Sequence, residues 1–255
     1  MARTTARYGW VPDLPDQRDH LFAAPPPVVA TLPPSADLRP GCPPVYDQGQ
    51  LGSCTGNAIA GALEFDQKKE GAADVFVPSR LFIYFNERTM EGTVKSDSGA
   101  QIRDGIKSVA AMGACHEDIW PYDIAKFAAK PTKGAFSDAR KHTAVSYQRV
   151  AQDLTQQRGC LAAGFPFVFG FTVYDSFESK DVAASGHAPM PGSGESVLGG
   201  HAVLAVGYDD ANQWFVVRNS WGDGWGMSGY FTLPYAYLTQ SNLASDFWTI
   251  RSVQV

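Results

Sequence analysis

A lone thiol sits in QGQLGSCTGNA, residues 48–58, where polar, glycine-rich sequence gives way to a helical pattern. Cys54 opens that helix. A thiolate, not a thiol, attacks carbonyl carbon, and an unperturbed cysteine is only a few per cent ionised at neutral pH. The dipole and free N–H groups of a helix start favour the anion. A histidine beside such a thiol would pair with the thiolate and later protonate a leaving amine, and a third polar group would hold the imidazole. Of the five histidines, His201 is the best placed: it follows Gly199 and Gly200 and opens the apolar run HAVLAVGY. His20 lies in an N-terminal arm, His116 in a surface turn with acidic neighbours, His142 after basic residues, and His187 in a Gly/Ser loop. Asn219, just after the run QWFVVR, is suited to orient an imidazole, and Trp221 to shield that hydrogen bond from water.

These residues need a helix and a sheet to hold them. The spacing of Ile59, Leu63 and Phe65 predicts a helix from Ser53 to about Lys69, with Ser53 as N-cap, lysines at its C-terminal end and Gly71 as stop. Further helices are expected over 79–90, 100–112 and 151–163. Strands are expected over 167–173, 201–208, 213–219, 229–233 and 246–252, with a Gly/Ser/Ala/Pro loop over 183–200. Helices in the first half and strands in the second predict an α+β protein with a helical lobe and a sheet lobe. A cleft between them is the expected ligand site. Residues 1–31, with PPP at 25–27, show no amphipathic period. They predict an extended arm anchored by Tyr8, Trp10, Leu14 and Phe22.

Composition excludes several classes. The chain has 255 residues, 44% hydrophobic, and a net charge of −5, enough for one large domain or two packed lobes. No basic run favours nucleic acid, and no apolar stretch approaches the roughly 20 residues that span a bilayer. Arg3 and Arg7 are not followed by an apolar stretch, so no signal peptide is expected, and the expectation is either a cytoplasmic protein or one exported by a route without a cleavable signal. Cys42, Cys54, Cys115 and Cys160 make no CxxC pair and no zinc-type cluster. With Cys54 a working thiol, at most one disulfide remains possible. No metal or other cofactor is expected, and a monomer is.

In order, QGQLGSC, GGHAVLAVGY and RNSWGDGWG resemble the papain-like cysteine peptidases. His201 lies 147 residues after Cys54 and Asn219 165 after it, against about 130–150 in that family. LPPSADLR, 32–39, resembles the segment that begins their mature form, so the resemblance covers Leu32 to Phe231 and divides the chain into an extension, 1–31, and a peptidase domain, 32–255. It implies a two-lobe fold with a helical lobe and an antiparallel, barrel-like lobe. It implies Cys54 as nucleophile, His201 as general base and acid, Asn219 as its orienter, and Gln48, with the Cys54 N–H, as oxyanion donor. Ser98 and Gly99 are the nearest match to the glycines that pair with substrate backbone. Gly170 and Ala202, beside Gly200, match the walls of the main specificity pocket, and their small size implies room for a bulky apolar side chain. Trp221 flanks the same cleft. The implied source is bacterial.

The sequence departs from the family at Leu51, where many relatives carry a disulfide cysteine, and at Thr55, where an aromatic is usual. Neither change touches a reacting group. The implied partner is a peptide or protein substrate. A second expectation places residues 1–31 across the cleft as a plug, against a simple bracing strand. The same site also allows acyl transfer to an amine, or a silent peptide-binding or inhibitory protein.

Overall fold

A computed structural model describes residues 7–253 of the chain; the first six residues of the predicted arm lie outside them. The helices are α1 (Pro26–Ala30), α2 (Cys54–Lys69), α3 (Arg80–Glu91), α4 (Ile102–Met112), α5 (Lys133–Ala139), α6 (Leu154–Ala162), α7 (Lys180–Ser185) and α8 (Tyr235–Thr239). The strands are β1 (Leu21–Phe22), β2 (Ser35–Asp37), β3 (Ala144–Val150), β4 (Phe167–Tyr174), β5 (Val197–Asp209), β6 (Trp214–Arg218), β7 (Tyr230–Pro234) and β8 (Ala244–Val253). They form one eight-stranded sheet in the order β1-β3-β8-β4-β5-β6-β7, with β2 also pairing β5. Neighbours are antiparallel except β1 and β3. The α+β expectation and the helical and sheet lobes are as the sequence implied.

The continuous apolar run of β4 has a physical reason: both faces are covered. Phe167, Phe169 and Phe171 face the sheet lobe's own core, with Val203, Phe215 and Phe231. Val168 faces the other way, onto a second core it shares with Ala202 and Leu204 of β5 and with Ile59, Leu63, Ile83 and Ile106 of the helical lobe. The period of two along a strand makes this split. α2 lies between these layers, with Cys54 to Gln67 all buried. It is therefore a central spine of the molecule.

The remaining differences from expectation are local. Ser53 occupies the cap position of α2 without capping it; its hydroxyl meets Tyr122 Oη at 2.5 Å and accepts from Asn57 Nδ2 at 3.1 Å. Ser79 does cap α3, accepting from Phe82 N at 3.2 Å. β3 was not foreseen because Ser146, Gln148 and Arg149 dilute its hydropathy; pairing with β8 holds it. The loop over 183–200 is shorter than expected, since α7 ends at Ser185 and β5 starts at Val197. PPP begins α1, where proline's missing N–H costs nothing in the first turn. All four cysteines are free.

The arm has two distinct stretches. Tyr8, Trp10 and Phe22 are buried as anchors, but Leu14 is 70% exposed and anchors nothing. Residues 21–30 run along the outside of the sheet lobe through β1 and α1, and residues 7–13 enter the groove between the lobes.

Candidate active site

α2, β5 and the end of β6 bring together the residues singled out in the sequence. Cys54 is the first residue of α2 and is fully buried. His201 stands on β5 next to Ala202, and its Nε2 meets Asn219 Oδ1 at 2.8 Å. That oxygen also accepts from Ser220 N at 2.8 Å, which identifies it as the amide oxygen. The imidazole therefore donates from Nε2, and Nδ1 carries the free lone pair; Nδ1 is buried with no partner. Trp221 stacks on the imidazole at a centroid distance of 4.9 Å and covers the hydrogen bond. Gln48 is held by Ser220 Oγ, which donates to Gln48 Oε1 at 2.6 Å and turns the amide N–H₂ into the groove.

The arm fills this groove. Gln48 Nε2 donates to the Arg7 carbonyl at 2.9 Å and to the Leu51 carbonyl at 2.9 Å. The Arg7 guanidinium lies over Trp221 at 3.8 Å and pairs with Glu178 at 2.6 Å, and Tyr8 Oη also donates to Glu178. Tyr8 meets the edge of the His201 ring at 5.8 Å. Gly9 passes directly over Cys54's loop: a Cβ there would fall 1.8 Å from the Gly52 carbonyl oxygen. Beyond it the arm pairs with both walls. Ala100 N donates to Gly9 O at 2.8 Å, Val11 N to Ala100 O at 3.0 Å, and Trp10 N to Gly200 O at 3.0 Å.

The Trp10 ring occupies a pocket made by missing side chains. A Cβ on Gly170 would fall 2.0 Å from the ring, and one on Gly200 2.6 Å from it. Ala202 shares the same buried cluster. Trp10 Nε1 donates to Asp246 Oδ2 at 3.1 Å. Of the two residues matched to the substrate-pairing glycines, Gly99 approaches the arm closely, with φ +74° and no room for a Cβ against Gly9 O. Ser98 is exposed and bonds only the Gly99 carbonyl, and Ala100 makes the backbone pairing. Ala100 and Asp246 were missed in the sequence. A hint for Asp246 was a charge opening the apolar run FWTI; its backbone is left-handed, φ +60°.

Burial decides the electrostatics. It pushes the Cys54 thiol up to about 11 against the lowering pull of the Ala202, Gly9 and Thr55 N–H groups. It pushes His201 down to about 3, although the Asn219 hydrogen bond pulls upward. Among the described residues no hydrogen bond joins Cys54 to His201. Both shifts favour the uncharged forms, thiol and neutral imidazole, because burial makes charge costly.

Comparisons with known proteins bear on the family and the fold. The papain family cysteine protease profile matches residues 32–249. The chain belongs to the papain family. It is a cysteine peptidase, a hydrolase. It is similar to xylellain, a cysteine protease from Xylella fastidiosa, at 44% identity and a TM-score of 0.92 over 99% of this chain and 98% of that one. It is 42% identical to an uncharacterised peptidase C1-like protein of Acanthamoeba polyphaga mimivirus, over 96% of this chain and 87% of that one. Mouse procathepsin L is 27% identical over 81% of this chain and 62% of its own length.

Proposed function

We propose that this chain is a cysteine endopeptidase that uses Cys54, His201, Asn219 and Gln48, and that residues 7–13 of its extension, 1–31, hold the cleft shut. One observation carries the plug. The carbonyl lying on Gln48 Nε2 belongs to Arg7, whereas the residue that crosses the loop before Cys54 is Gly9, whose own carbonyl accepts from Ala100 N. A cleavable peptide would present one carbonyl both to Gln48 and to the thiol, with its carbon at the sulfur. The arm turns these carbonyls to Gln48 and Ala100 separately, which supports inhibition without cleavage.

Displacing the arm lets water and substrate in. The Cys54 proton then passes to His201 Nδ1, and the imidazolium keeps Nε2–H on Asn219 Oδ1. The thiolate adds to the substrate carbonyl carbon, and the new oxyanion accepts from Gln48 Nε2–H and the Cys54 N–H. One such donor contributes roughly 3–4 kcal/mol. As the C–N bond breaks, imidazolium Nδ1–H protonates the leaving amine. A water, deprotonated by Nδ1, hydrolyses the thioester and returns the thiol.

The specificity pocket would take a large side chain, as Trp10 does, with Gly170, Gly200 and Ala202 leaving the space. Asp246 favours a side chain bearing a donor, which refines the apolar pocket expected from sequence.

The test is product chemistry on a chain whose arm is displaced by Gly9→Val. Hydrolysed peptides, lost in Cys54→Ala and His201→Ala, are expected. Intact substrate would mean a silent binding protein, and amine adducts without acid products would mean a transferase; either overturns the reading.

A further inference from the structure

The helical lobe carries a second group of chemically capable side chains, away from the cleft. His116 follows α4, Asp138 lies in α5 and His142 just after it. One ligand atom from each lies within 4.8 Å of the others. We propose that His116, Asp138 and His142 form a site for one divalent transition-metal ion of the zinc class.

Two imidazoles and a carboxylate are the donor set such ions take, with a fourth position left for water or another carboxylate. Asp74 Oδ2, 3.8 Å from His116 Nε2, is close enough to be that carboxylate. The gaps are too wide for direct bonds and suit a bridging atom: His142 Nε2 stands 3.9 Å from Asp138 Oδ1. Among the described residues neither imidazole makes a side-chain hydrogen bond, and His142 Nδ1 is buried and unpartnered.

The frame is already built. Asp138 Oδ2 accepts from His116 N at 3.1 Å, which orients the carboxylate with Oδ1 toward His142. Ala114 N donates to His142 O at 3.1 Å, and Ser79 N to Cys115 O at 2.8 Å, so the segments meet through their main chains. Phe76 stacks on the His116 ring at 4.1 Å and limits its rotation. A cavity of about 290 Å³ lined by Phe76, Val77, His116, Glu117 and Asp118 gives an ion its entry. Binding requires two adjustments. Ligands of a tetrahedral ion with bonds of about 2.0–2.1 Å lie about 3.3 Å apart, so the widest pair must close by roughly 1–1.5 Å. Lys141 Nζ, 3.4 Å from Asp138 Oδ1, must swing out, and its side chain is exposed enough to do so. Because Asp138 and His142 come 22 and 26 residues after His116, the sequence offered no recognisable ligand spacing.

The test uses the full chain, stripped with chelator and titrated with Zn²⁺ by calorimetry, and with Co²⁺ by visible absorption. The expected result is one ion per chain, a raised melting temperature, and Co²⁺ ligand-field bands without the near-ultraviolet charge transfer of a thiolate. That last feature separates this site from Cys54. His116→Gln and Asp138→Asn, both near the surface, should each weaken binding by more than the roughly 10–100-fold that loss of an outer partner costs, while unliganded melting stays close to wild type. Absence of binding, a thiolate band, or affinity unchanged from wild type in either variant would overturn the proposal.

Discussion

Residues 7–13 and 21–30 belong to one arm but are held by different physics. The outer stretch is attached generically. β1 pairs with β3, Phe22 is buried beneath the Arg251 guanidinium at 4.7 Å, and Ala24 N donates to Gln156 Oε1 at 2.9 Å. Apolar burial and a short ladder would serve with many sequences. The inner stretch is fitted atom by atom to reacting groups: Arg7 on Gln48, Tyr8 against His201, Gly9 over Gly52, Trp10 between Gly170 and Gly200. A knot of charge joins them, with Asp13 closing the inner stretch and Asp19 beyond it. Asp19 pairs with Arg103 at 2.5 Å and with Arg149 at 3.2 Å. Asp13 accepts from Trp248 Nε1 at 2.9 Å, and its own N–H donates to Asp246 at 2.8 Å. On the proposed reading, the brace and Asp19 fix where the arm emerges, while the inner stretch, Asp13 included, governs whether the site is open.

Trp10→Ala should separate the two stretches most clearly. Losing a buried tryptophan costs about 3–5 kcal/mol, so labelling of Cys54 by a peptidyl epoxide should quicken at least about a hundredfold, with the melting temperature nearly kept. Phe22→Ala should do the reverse: a loss of about 3 kcal/mol in chemical denaturation, with little change in labelling. If both variants open the cleft equally, the arm is one unit and the comparison fails.

Asp13 supplies a smaller, pH-dependent effect. Burial, then the neighbouring Asp246 charge, raises its carboxyl from 3.8 to about 6 in the closed form. An acid with a raised pKa binds a proton more readily when closed, so its stabilisation is complete below 3.8 and is lost as pH rises through about 6. The catalytic pair adds nothing to this slope where opening only moves a proton from Cys54 to His201. Opening should therefore become easier from acid to neutral pH, by up to about a hundredfold, measured as labelling corrected for the intrinsic thiolate rate. Asp13→Asn should flatten that profile. Leu14→Ala, at an exposed position, should change neither labelling nor melting beyond about 0.5 kcal/mol.

Much of this was legible in the sequence, for reasons that can be stated. Helices α2, α3 and α4 announce themselves through period and stop glycines, and β4 through its apolar run. Cys54 and Asn219 stand out because each lies at the end of an element, where a side chain can reach a groove; His201 stands out by opening an apolar run after two glycines, although β5 itself begins earlier, at Val197. What stayed hidden depends on contacts between distant segments. Ala100 is an ordinary residue that pairs the arm only through its backbone. Asp246 matters because β8 carries it beneath Trp10. Ser53 looked like a cap, but Tyr122 and Asn57 engage its hydroxyl. Leu14 looked like an anchor because hydropathy carries no information about which side of a turn faces water.

The most direct test compares the wild-type chain with Gly9→Val, whose added Cβ cannot share space with the Gly52 carbonyl. Both are incubated with a peptidyl epoxide in reductant near neutral pH, and the adduct is timed by intact mass. A single adduct on Cys54, forming about a hundredfold faster in Gly9→Val, is predicted. Equal rates in the two chains, whether fast or nil, would contradict a competent thiol held shut by its own arm.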